Sequence, residues 1–114
     1  MIKYTLDAAK HIMDGTLPYQ VFTKDLNANE ELTPDERHIV RVFVNGLLNR
    51  YYRYLYSLTA GQDTNLTTEE VLALALYSFN VEKNITTLTY EDVLKELPAE
   101  QQVALESAYP QDAF

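Results

Sequence analysis

Residues 33–58 read TPDERHIVRVFVNGLLNRYYRYLYSL, and this stretch decides the fold. Thr33 offers a capping hydroxyl, Pro34 suits the first helical position, and Glu36 stands where its carboxylate can reach back to the cap. Together they make the signature of a capping box with a helix running on from it. The apolar residues that follow are Val40, Phe43, Val44, Leu47, Leu48, Tyr51, Leu55 and Leu58. Their steps are threes, ones and fours, so they fall in one stripe along a helix of more than five turns. A helix so long and so evenly striped is the element others must pack around. Gly46 and Asn49 are its weak points, where a kink or a division into two helices is expected.

Upstream, Ile2, Leu6, Ala9 and Met13 mark one face of a first helix covering about Lys3 to Asp14, and Gly15 ends it. Pro18 opens a second helix expected to turn Val21, Phe22 and Leu26 inward, stopped by Asn27-Ala28-Asn29. Downstream, Gly61 is expected to close the long helix. A second box, Thr67-Thr68-Glu69-Glu70, starts a fourth helix whose middle, Val71 to Phe79, is apolar nearly all round and so is buried on more than one side. Thr89-Tyr90-Glu91-Asp92 begins a short fifth helix ending near Leu97. Pro98-Ala99-Glu100 begins a sixth that carries Val103 and Leu105 toward Tyr109, with Pro110 as its stop. Ile85-Thr86-Thr87-Leu88 is the one strand-like run, and four residues alone do not make a sheet. The expected fold is all-α: a compact bundle of five to six helices around a long central helix, with residues 1–114 as one domain.

At 114 residues, the chain is long enough to bury roughly 65% of its unfolded surface, which supports one core without metal or disulfide help. Nine Lys and Arg stand against seventeen Asp and Glu, for a net charge of -8, the wrong sign for a protein whose main work is gripping polyanions. The charge is uneven. Residues 82–114 hold two lysines and seven acids, whereas Arg37 to Arg53 holds four arginines and no acid. The absence of cysteine excludes disulfides, thiolate zinc sites and a cysteine nucleophile, and fits a cytoplasmic location. No stretch approaches transmembrane length, so no membrane partner is expected.

Catalytic chemistry finds little to work with. His11 and His38 sit on expected helices with no nucleophile turn nearby, and an enzyme would need a deep pocket holding one of them beside a carboxylate. Three of the four acidic pairs, Asp35-Glu36, Glu69-Glu70 and Glu91-Asp92, stand at helix starts, where the helix dipole favours them. No metal-ligand spacing and no glycine-rich phosphate loop occurs, so neither metal nor cofactor is expected.

The feature that points to binding is Asn49-Arg50-Tyr51-Tyr52-Arg53-Tyr54-Leu55-Tyr56. Tyrosines interleaved with arginines suit stacking and phosphate contact with single-stranded RNA. They suit a protein interface equally, since Tyr and Arg are its enriched anchors. In the plainest reading, Tyr51 belongs to the core and the rest snorkel at its rim. Arg37 and Arg41 share one face, and so do Arg50 and Arg53, but at about 100° per residue the nine-residue gap from Arg41 to Arg50 sets the pairs on opposite sides.

Ala8-Ala9 with Ile12, the closing Gly15, Leu32-Thr33-Pro34-Asp35-Glu36-Arg37 leading into Val42-Phe43-Val44-Asn45-Gly46-Leu47-Leu48, and then Leu72-Ala73-Leu74-Ala75-Leu76-Tyr77 form a recognisable series. From Asp7 onward this series resembles the NusB-like domain, which occurs alone in transcription antitermination and as the N-terminal domain of ribosomal-RNA cytosine methyltransferases. The chain departs from that pattern in placing Asn49 where the family has arginine, with Arg50 one place late. The family's basic N-terminal arm is reduced to Lys3 and Lys10, and neither a cofactor-binding glycine motif nor a catalytic cysteine pair is present. The resemblance implies a non-catalytic module of RNA processing or antitermination. It would bind a protein partner or structured RNA through Arg50, Tyr52, Arg53 and Tyr56, with Arg37 and Arg41 as further candidates. The alternative is an acidic helical adaptor that binds protein only, or pairs with itself as a homodimer.

Overall fold

A computed structural model describes residues 1–60 and 65–108, and every regular element among them is helical. The elements are α1 (Ile2–Met13), α2 (Tyr19–Asn27), α3 (Pro34–Thr59), α4 (Thr68–Lys83), α5 (Tyr90–Leu94) and α6 (Ala99–Ala108). The helix starts follow from local chemistry. At Thr33, Thr67 and Thr89 the hydroxyl accepts the amide three residues on, and the acid at that position, Glu36, Glu70 or Asp92, accepts the threonine amide in return. Those reciprocal bonds hold the Glu36 and Asp92 carboxyls below their ordinary values.

The central position expected for α3 is observed. It packs chiefly against α4 and α1, and also against α2, while α4 in turn packs against α1 and α5. Its inner stripe serves two apolar clusters. Phe43, Leu47 and Tyr54 enter the larger one with Leu6, Ala9 and the α4 run Leu72 to Leu76, while Val40 and Val44 join Ala8, Phe22 and Leu26 in the smaller one beneath α2. Every residue from Val71 to Leu76 is buried, as its all-round apolarity predicts. The radius of gyration, 13.8 Å, is that of a folded domain of this length.

Several expectations are corrected. No break divides α3 at Gly46 or Asn49; the helix is continuous over 26 residues. The missing side chain of Gly46 serves close approach instead, because a Cβ there would lie 2.4 Å from Cζ of Phe79 on α4. Val21 is exposed, since α2 is covered along the line of Phe22 and Leu26 and Val21 lies off it. On α6, Leu105 is the buried residue and Val103 is exposed. Helix α5 stops at Leu94, three residues early, and tight turns from Val93 to Glu96 and Leu94 to Leu97 finish it. Ala60 takes the left-handed cap conformation at the end of α3. Gly61, Tyr109 and Pro110, expected to shape helix ends, lie outside the described residues. The strand-like residues 85–88 form an irregular link. Buried Asn80 fastens it by donating to the Leu88 carbonyl (2.9 Å) and accepting from the Thr86 amide (3.1 Å) and hydroxyl (2.9 Å).

Candidate functional site

The arginines that looked alike in sequence meet different fates. Arg37 Nη1 donates to the carbonyls of Asn29 (2.7 Å) and Leu32 (2.8 Å), closing the α2–α3 loop over the start of α3. Arg41 donates to the Asn27 side chain, tying the end of α2 to the same helix. Arg50 turns toward α4, where it pairs with Glu82 at 3.2 Å and lies 5.3 Å over the Phe79 ring. Arg53 is exposed and makes no hydrogen bond or ion pair among the described residues. Its charge is still felt by Glu82.

The tyrosines also divide. Tyr54, rather than Tyr51, is the buried one, at 7% exposure, and its hydroxyl donates to Glu82 Oε2 at 2.8 Å. Burial foremost, and the Glu82 carboxylate next, push the Tyr54 phenol above its ordinary value. The Tyr54 hydrogen bond, followed by the charges of Arg50, Arg53 and Lys83, holds Glu82 below its own. Tyr51 is half-buried and meets the Tyr52 ring edge-on. Tyr52 and Tyr56 stand out at 78% and 69% exposure.

A single outward stripe results. Asn49, Tyr52, Arg53, Tyr56 and Ser57 are all exposed and fall at steps of three and one, so they line one face of α3 over roughly 12 Å. Of the six residues singled out from sequence, this stripe gathers Tyr52, Arg53 and Tyr56. Arg50 sits beside it, held by Glu82, while Arg37 and Arg41 belong to the other end of the helix. Sequence reading missed Tyr54, although it lies seven residues after Leu47 and so keeps the helix register. It also missed Glu82 and Phe79, whose part depends on how α4 is laid against α3.

A concave place lies elsewhere, between α1 and α2. Tyr4, Asp7, Ala8, His11, Leu17, Phe22 and Asp25 line a cavity of about 250 Å³. It puts a histidine near carboxylates, yet the polar order differs from a nucleophile relay. The Thr16 hydroxyl donates to Asp14 (2.6 Å), and His11 Nδ1 faces Thr16 (3.2 Å) and Asp14 (3.6 Å) with the same edge. His38 is exposed on α3. Among the described residues no group of three or more His, Asp or Glu is arranged to hold a metal ion. No helix among them is long and apolar enough to cross a membrane.

Comparison with protein families, with curated proteins and with solved structures gives no match.

Proposed function

We propose that the chain is a non-catalytic, NusB-like helical module that works by binding a protein partner through the outward stripe of α3. The observation that carries this reading is the exposure of Tyr52 and Tyr56 on either side of Arg53, in a helix whose remaining arginines are engaged within the fold. Large aromatic rings left in water beside an uncommitted guanidinium have the composition of an interface anchor. A fitting partner surface offers apolar area to the rings and a carboxylate to Arg53. The NusB-like part of the proposal rests on the motif series itself, whose residues stand in the capped α3, at the close approach of Gly46 and in the apolar α4. RNA is the weaker ligand on charge. Phosphate binding needs several free cations in one place, and along this stripe Arg53 is the one cation among the described residues, on a chain of net charge -8.

Photo-crosslinking from position 56, in cells that naturally make the protein, tests the proposal. The expected result is one defined protein adduct, absent when the probe sits at Val103 and lost with Tyr52→Ala. A nuclease-sensitive adduct would replace the protein partner with RNA. An adduct of the chain with itself would favour the self-pairing adaptor.

A further inference from the structure

The cavity between α1 and α2 lies apart from the α3 stripe and invites a different kind of ligand. Tyr4, Asp7, Ala8 and His11 recur at steps of three, one and three, so α1 turns one whole face into it. Phe22, almost wholly buried, supplies apolar surface at α2, Leu17 closes the end where the chain turns, and Asp25 stands one turn beyond Phe22. The walls are therefore mostly apolar and aromatic, and the charged groups around them are two carboxylates from two helices.

Among the described residues no lysine or arginine lines the cavity. Of the two lysines of α1, neither Lys3 nor Lys10 is among its lining residues, and Lys10 is paired with Glu69 of α4. The Nδ1 edge of His11 is held by Thr16 and Asp14. An anion entering here meets Asp7 and Asp25 at close range, and a neutral apolar group would strip water from them without return. A cation gains from both. Its approach is also favoured by the overall charge of -8. The size narrows the choice, because about 250 Å³ falls below the usual range for cofactor-sized ligands and suits one long side chain or a small organic cation.

We infer that this cavity binds a guanidinium group carried on a short alkyl stem, with Asp7 and Asp25 taking the charge and Tyr4, Ala8, Leu17 and Phe22 taking the stem. A planar guanidinium suits the place better than an ammonium, since it pairs with carboxylates through several N–H groups and stacks on aromatic surface. The group comes either from an arginine of a partner or from a free guanidino compound.

Amide resonances of the full chain, followed by NMR during titration, test the assignment with agmatine as the free compound and a capped Ala-Arg-Ala tripeptide as the partner mimic. The expected result is saturable movement of the Ala8, Leu17 and Phe22 signals, strongest with whichever source is the natural one. Butylamine should bind more weakly, and butyrate should leave the signals still. Asp7→Asn with Asp25→Asn should weaken binding about fivefold or more, the scale of two partly exposed ion pairs. Both positions are exposed, so a circular-dichroism melt should match the parent. Signals that move equally with butyrate, that fail to saturate with either guanidino probe, or that move unchanged in the double variant would overturn the inference. Because the cavity shares no residue with the α3 stripe, failure here leaves the Tyr52 and Tyr56 interface intact, and the reverse holds too.

Discussion

The two halves of α3 carry nearly the same side-chain vocabulary and use it differently. From Pro34 to Leu47 the helix packs against α1, α2 and α4, and its arginines, Arg37 and Arg41, serve as struts that satisfy the α2–α3 loop and the last residue of α2. From Leu48 to Thr59 the inner side still packs, through Tyr54 and half-buried Leu58, but the outer side has no neighbour among the described residues. Here one arginine is drawn back to α4 by Glu82 and the other stays in water between two tyrosines. An arginine is thus structural where a carbonyl or carboxylate lies within its reach, and available where none does. Residue type does not decide the outcome; the neighbouring helix does.

The most damaging test of this contrast falls at its midpoint. Gly46→Ala would set a methyl against the Phe79 ring, with three ring atoms inside 3.0 Å. The crowding should cost about 1–3 kcal/mol, against the ~1 kcal/mol that alanine gains over glycine in a helix, for a net loss of up to about 2 kcal/mol. Thermal melting should show a clear fall, partly restored by adding Phe79→Leu. A rise in melting temperature, as helix propensity alone would give, would show that α3 and α4 do not approach so closely.

The arginines themselves come next. Arg37→Ala orphans two loop carbonyls and should cost about 1–2 kcal/mol in urea unfolding, whereas Arg53→Ala should stay within about 0.5 kcal/mol. Equal losses at the two positions would erase the distinction between strut and free cation.

The smallest effect concerns Glu82, which links the outer half of α3 to α4. Its carboxyl lies lower in the fold than in the unfolded chain, mainly through the Tyr54 hydroxyl and then through Arg50. The stability it contributes is therefore present above the ordinary carboxylate range and is lost as pH falls through the depressed folded value. Glu82→Gln should lower the melting temperature near neutral pH, and the gap from the parent should close on acidification. A gap that stays constant into acid would mean that ionised Glu82 contributes nothing.

Much of the fold could be read in the chain because it rests on local rules. Threonine caps and helical periodicity act within four residues, so α3, α4 and the starts of α5 were visible before any tertiary contact was considered. The inward placing of Val21 failed for the opposite reason: an apolar side chain is buried only where a neighbour covers it, and α2 is covered along one line. Gly46 was misjudged similarly, because flexibility and close packing ask for the same residue. The site was half legible. The Tyr and Arg cluster stood out by composition, but Arg50 could not be told from Arg53 without Glu82, which lies 32 residues after Arg50.

By itself, then, the sequence determined a chain of capped, striped helices with a long apolar-seamed helix at its centre, since hydrogen-bonding caps and side-chain period are properties of neighbouring residues. Only the tertiary structure decided which side of that helix meets water. It set Phe79 against Gly46 and Glu82 against Arg50 and Tyr54, left Tyr52, Arg53 and Tyr56 outside, and opened a cavity between α1 and α2 that no single segment encodes. The reason is that burial, pairing and enclosure each require two surfaces, and the packing of the helices brings the second one.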